Sequence, residues 1–380
     1  MTVTSPAGFA AAGVAAGLKT SGGKDVAVIV NQGPSDVVAA VWTSNRCKAN
    51  PVLWSERTAS TGRARVVVAN SGGANCYTGQ AGFQLTHATA ELAAELSGCA
   101  AIEVVVCSTG LIGHLNDEKA LLTGVEAALA AAGPDGGLAA AEAIMTTDTV
   151  SKTAVVETAG WSVGGIAKGA GMLAPGLATM LVFVTTDADV SPAIADRALR
   201  EATRVTFDRL DSDGCMSTND SVVLMASGAS GVRPAYDDFA CALTRLCYDL
   251  AQQLLRDAEG ADHDIDITVR GAATEADAVE VGRAVARSNL FKCAVFGNDP
   301  NWGRILAAVG TTRAAFDPAD LDVSLNGVWV CRGSEPGDDP RSIDLTPRAV
   351  AVEIDLKSGN AAATIWTNDL TTAYVHEKSA

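Results

Sequence analysis

Short β-branched runs alternate with longer amphipathic stretches along most of the 380 residues. Asp25–Asn31 (DVAVIVN), Arg63–Gly73 (RARVVVANSGG) and Ala101–Gly110 (AIEVVVCSTG) close on Gly or Asn, the pattern of buried strands entering loops. Phe83–Gly98 spaces its apolar residues along one helical face and stops on a glycine. Helical spacing recurs over Asp117–Ala132, Pro192–Phe207, Asp237–Glu259 and Thr274–Ser288, and Val222–Ser227 reads as a further strand. The last third adds strands at His263–Gly271, Val323–Cys331, Val350–Leu356 and Asn360–Thr367. Strand–turn–strand succession at this end predicts antiparallel pairing. The expected class is therefore α/β, a layered sandwich with mixed sheets rather than a purely parallel one.

Punctuation between these runs is sparse. GPDGG (Gly133–Gly137) separates two predicted helices and GSEPGDDPRS (Gly333–Ser342) is a surface excursion, but neither divides domains. The strongest break is GAGMLAPG (Gly169–Gly176), which runs through Ala178-Thr179 into the apolar segment Met180–Thr186. A loop entering a core strand is the plain reading of that break.

Composition narrows the function classes. A formal charge of −16 repels phosphate backbones and anionic lipid, so neither nucleic acid nor membrane is an expected partner. No apolar run reaches the ~18 residues of a membrane span. The nine cysteines form no C-x-x-C pair, which fits small buried thiols in a reducing cytoplasm better than disulfides or a zinc site. The start of the chain has no basic n-region ahead of its apolar stretch and reads as mature sequence.

Candidate chemistry is restricted in the same way. The four histidines, His87, His114, His263 and His376, flank no G-x-S-x-G elbow, which argues against a Ser-His-Asp hydrolase. H-E-x-x-H and P-loop patterns are absent, and SGGKD (Ser21–Asp25) reads as a turn. A threonine hydroxyl needs no histidine if its own α-amino group takes the proton, but only when that threonine is first in its chain. Thr179 meets this condition only if the peptide after Ala178 is cut. In CSTGLIG (Cys107–Gly113), Thr109 and Gly110 offer a hydroxyl and an unobstructed backbone N–H of the kind that holds an oxyanion. The polar loop Asp211–Ser221 is a third candidate. Taken separately, each segment also reads as an ordinary turn.

Together they resemble something specific. AIMTTD (Ala143–Asp148), AKGAGMLAPGLATML (Ala167–Leu181), STND (Ser217–Asp220), DAEGA (Asp257–Ala261) and DPNWGRILAAVG (Asp299–Gly310) are similar to the signature blocks of the ornithine acetyltransferases, the glutamate N-acetyltransferases of arginine biosynthesis. The likeness runs in order from Pro6–Phe9 to Tyr374-Val375. It implies an N-terminal-nucleophile-like α-β-β-α sandwich. It also implies a precursor that cuts itself between Ala178 and Thr179, giving fragments 1–178 and 179–380 that assemble as an α2β2 tetramer. Thr179 is then the nucleophile, Thr109 and Gly110 the oxyanion hole, and Thr146, Lys168, Thr179 and Glu259 the substrate contacts.

The implied reaction moves an acetyl group from N-acetylornithine to glutamate through an acetyl-Thr179 ester, with no metal or cofactor. Acetyl-CoA is an additional donor in some members. Hydrolysis by the same threonine, as in related aminopeptidases and amidases, and an uncut non-catalytic protein are the alternatives. Family members usually close on an Asn-Ser pair and a few further residues that help bind substrate. Here the sequence reads YVHEKSA, with Lys378 where Asn is expected.

Overall fold

The computed structural model describes residues 1–174 and 180–377, in two compact units. The first is built on Met1–Met172, the strand and helix between Leu181 and Asp208, and Met216–Leu254; the second is built on Arg209–Cys215 and the chain from Leu255 onward.

In chain order the first unit holds β1 (Phe9–Val14), β2 (Val26–Asn31), β3 (Val37–Trp42), α1 (Asn50–Ser60), β4 (Val66–Gly73), α2 (Gly79–Ser97) and β5 (Val104–Leu111). It continues with α3 (Glu118–Ala131), α4 (Gly137–Ala143), β6 (Lys152–Glu157), β7 (Ser162–Lys168), β8 (Leu181–Thr186), α5 (Pro192–Val205), β9 (Ser221–Ala226) and all but the last two residues of α6 (Tyr236–Arg256). Two mixed sheets form, ordered β1-β2-β4-β5 and β3-β9-β8-β7-β6. Pairing is antiparallel except for β4–β5 and β8–β9.

Side-chain alternation explains why these strands read as unbroken apolar runs. Ala27 and Ile29 of β2, Val67 and Ala69 of β4, and Val105 and Cys107 of β5 share one core with Ile166, Leu181, Phe183, Val223 and Met225 of the other sheet. Their neighbours Val26, Val28, Val66, Val68, Val104 and Val106 face a second core. There they meet Leu85, Ala90 and Ala93 of α2 and Leu121, Val125 and Ala128 of α3. On the far side of the second sheet, the Trp161 and Phe239 rings lie 5.8 Å apart, and α6 crosses so closely that a Cβ on Gly165 would sit 2.9 Å from Leu250 Cδ1. The layering is α-β-β-α, as expected.

The second unit is a six-stranded mixed sheet, β13-β12-β11-β14-β10-β15. Its elements are β10 (Asp264–Ala272), α7 (Glu275–Ala286), α8 (Asn289–Phe296), α9 (Gly303–Val309), β11 (Asp322–Leu325), β12 (Val328–Arg332), β13 (Glu335–Pro336), β14 (Ala349–Asp355), β15 (Ala361–Asn368) and α10 (Thr372–Glu377). Two expectations need correction. Val323–Cys331 is a hairpin, turned at Asn326-Gly327 with both residues at positive φ, and not one strand. The consecutive strands β14 and β15 do not pair with each other; β10 lies between them, parallel to β14 and antiparallel to β15.

The expectation of buried thiols holds for Cys76, Cys107, Cys247 and Cys331, whereas Cys47, Cys215, Cys241 and Cys293 are exposed, and none of the nine is in a disulfide. Among the described residues, no helix is long and apolar enough to cross a membrane.

Candidate active site

The inter-sheet core ends in polar groups. Val105 and Cys107 of β5 face that core, so Thr109, two residues on, continues the same row. Ile166 of β7 likewise leads to Lys168, the last residue of its strand. Thr109 and Lys168 are each only 1% exposed. Lys168 Nζ donates to Thr109 Oγ1 at 3.3 Å and to Thr146 Oγ1 at 2.7 Å. An ammonium only donates, so both hydroxyl oxygens accept here, and the Thr109 O–H proton is left to point elsewhere.

Beneath this contact lies a buried carboxylate. Asp148 Oδ1 accepts from Lys152 Nζ at 2.7 Å and from Gly169 N at 2.6 Å; Oδ2 accepts from Thr146 N at 3.0 Å and lies 3.9 Å from Lys168 Nζ. The side chains of Asp148 and Lys152 have no exposed surface. Burial alone would raise the Asp148 carboxyl. The Lys168 and Lys152 ammoniums and the Gly169 N–H outweigh it and hold the group below the usual carboxylate range.

Glycine shapes the neighbouring backbone. Gly110 has φ +124° and pairs in register with Gly72, and a Cβ built on it would lie 2.4 Å from Gly72 O. Only a residue without a side chain fits that approach. Asn219 ties the loop before β9 to the ends of β4 and β5, donating from Nδ2 to Ala74 O at 2.7 Å and Ser108 O at 2.8 Å. Its neighbour Asp220 is fully buried and accepts from Met180 N at 3.2 Å. Burial pushes that carboxyl well above its ordinary range.

Four sequence candidates, Thr109, Gly110, Thr146 and Lys168, thus come together in the first unit. Ala178, Thr179 and Lys378 lie outside the described residues. Glu259 belongs to the second unit, half-buried on the turn after α6, where Thr371 Oγ1 donates to Gly260 O at 2.5 Å. The site also draws in residues to which sequence reasoning gives no role. Asp148 and Asp220 fall inside signature blocks, and Lys152 lies four residues beyond one of them. The histidines do packing work where the structure describes their contacts. His87 sits 4.3 Å from the Trp54 ring, and His263 is bonded to Asp369 at 2.7 Å and Leu345 O at 2.8 Å.

The model of the ArgJ family matches residues 10–380. The arginine biosynthesis bifunctional protein ArgJ of Streptomyces coelicolor is 61% identical over the whole of this chain and 99% of its own. That of Streptomyces avermitilis is 60% identical with the same coverage. Among solved structures, the ornithine acetyltransferase of Mycobacterium tuberculosis complexed with ornithine is 50% identical. That match covers 47% of this chain and 96% of the other, with a TM-score of 0.45.

Proposed function

The chain belongs to the ArgJ family, and on that premise we propose that it is a self-cleaving acetyltransferase of arginine biosynthesis that moves acetyl from N-acetylornithine to glutamate. The observation that carries this reading is the buried contact of Lys168 with Thr109 and Thr146 at the polar end of the inter-sheet core.

The chemistry follows from the residues. Cleavage after Ala178 frees the amine of Thr179, which takes the proton of its own hydroxyl as the oxygen attacks the acetyl carbonyl. The C–O bond forms and the carbonyl oxygen becomes an anion, to which Thr109 O–H and Gly110 N–H donate. Collapse breaks the C–N bond, ornithine leaves with the proton, and acetyl remains as an ester on Thr179. Glutamate's amine then attacks the ester, and the threonine oxygen recovers its proton. Thr146, Lys168 and Glu259 serve as substrate contacts, charge-assisted at the last two. Acetyl-CoA is a second donor, which agrees with the word bifunctional in the relatives' names. No metal or cofactor takes part.

Cleavage need not release the fragments. Lys168 and Leu181 are register partners in the antiparallel pair β7–β8, so the strands on either side of the cut stay hydrogen-bonded to each other. Two such pairs assemble as the α2β2 tetramer, in the cytoplasm.

The test is transfer of labelled acetyl from N-acetylornithine to glutamate by purified protein. Labelled N-acetylglutamate is the expected product. Acetate release equal to ornithine release and unaffected by glutamate would instead establish a hydrolase. Thiol release from acetyl-CoA with glutamate present and acetylornithine absent is expected for the second donor. Thr179→Ala is expected to stop both processing and turnover.

A further inference from the structure

We propose that Asp148 is a positioning residue for acetyl transfer: its carboxylate, anchored by Lys152, fixes the Lys168 ammonium against the hydroxyl of Thr109. This rests on the reading of Thr109 as an oxyanion donor.

Four groups converge on this one side chain. Oδ1 takes the Lys152 ammonium at 2.7 Å and the N–H of Gly169, the first residue beyond β7, at 2.6 Å. Oδ2 takes the N–H of Thr146 at 3.0 Å and faces Lys168 at 3.9 Å. The carboxylate thereby sets both ends of the Lys168–Thr146 hydrogen bond: the backbone that carries Thr146, and the end of the strand that carries Lys168. A lysine side chain with four flexible torsions would otherwise spread over many rotamers. Placed between Asp148 and two hydroxyls, its ammonium makes the Thr109 oxygen an acceptor. The Thr109 proton is then left for an oxygen outside the cluster, the geometry an oxyanion donor needs before the reaction starts. Other charged groups feel Lys168 as well, the half-buried Lys19 and the buried Asp220 among them. Among the contacts described, Asp148 is the group that also holds the backbone on both sides of the Lys168–Thr146 contact. A carboxylate buried this far from water is costly unless it is paired and hydrogen-bonded, and these contacts meet that need.

Asp148 acts through Lys168, and this separates it from a residue that only stabilises the fold. The experiment is a double-mutant cycle in kcat for acetyl transfer. It uses wild type, Asp148→Asn, Lys168→Met and the double variant, each rate expressed per acetylated site measured by single-turnover labelling. Asp148→Asn is expected to lower kcat at least about tenfold. In the Lys168→Met background the same substitution is expected to add no more than about a threefold loss, because the ammonium it positions is already gone.

Multiplied losses, or Asp148→Asn with kcat within about threefold of wild type, would overturn the proposal. Should Asp148→Asn alone fail to fold, the comparison of the double variant with Lys168→Met decides. Equal rates support the role, whereas a further loss of about tenfold or an unfolded double variant overturns it. A wild type with no transfer activity would instead refute the function proposed above. Wild-type transfer with multiplied losses refutes only the part assigned to Asp148.

Discussion

At Gly110 a backbone requirement and a chemical one coincide. Its φ of +124° and the 2.4 Å separation between an added methyl carbon and Gly72 O leave no room for a side chain without moving β4. Gly110→Ala is therefore expected to destabilise the protein by about 2 kcal/mol or more in urea unfolding. Gly98→Ala, at φ +67° but with open space around it, should cost only about 1 kcal/mol. Equal effects at the two sites would show that the close approach to Gly72 carries no weight. Thr109 and Gly110 are legible in the sequence because a strand end followed by Gly is a local pattern. The setting of Lys168 is not. A lone lysine reads as solvated, and only the fold reveals that its strand ends at the mouth of a buried core, beside the carboxylate of Asp148. Lys152 is hidden for the same reason, since nothing local marks a lysine with no exposed surface.

Among the elements, the long periodic ones are the legible ones. The expected helices at Asp117–Ala132, Pro192–Phe207 and Thr274–Ser288 correspond to α3, α5 and α7 within a few residues. Short or small-residue elements such as β1, β3, β6, β7, α8 and α9 escape sequence reading, because FAAAGV or SVGGIAK carries too little side-chain volume to set a period. The Asn326-Gly327 hairpin signal is present but lies inside an apolar run that reads as one strand. The pairing of β14 and β15 around β10 leaves no local trace, since strand order is a non-local property. One cross-element tie makes a prediction. Asn219 joins the loop before β9 to Ala74 and Ser108, so Asn219→Ala leaves two buried carbonyls without their donor. A loss of about 2–4 kcal/mol in denaturant unfolding is expected. A loss under about 0.5 kcal/mol would mean that this loop is not held there.

At the scale of the whole molecule, a buried carboxyl couples stability to pH. Burial, only partly offset by Arg287, pushes Asp211 up to about 6 from 3.8. The native state then keeps a proton that the unfolded chain has already released, so this group's contribution to stability falls as pH rises from 3.8 to about 6 and is level above that. Asp211→Asn should flatten the fall. The difference in unfolding free energy between variant and wild type should change across that window and stay constant above it; a difference independent of pH would refute the assignment. The layered architecture follows from the alternation of strands and helices, and the split into two units does not. The second unit takes Arg209–Cys215 from a loop ahead of β9, an interleaving that leaves no linker in the sequence.

By the mechanism proposed above, the working enzyme is a cut chain whose nucleophile is its own new terminus. Mass measurement of the denatured, active protein, combined with amino-terminal sequencing, decides whether it is. The expected result is two fragments of about 18 and about 21 kDa, scaled from 38.7 kDa, with the larger beginning at Thr179. A single intact chain of 38.7 kDa with full transfer activity would rule out Thr179 as an amino-terminal nucleophile.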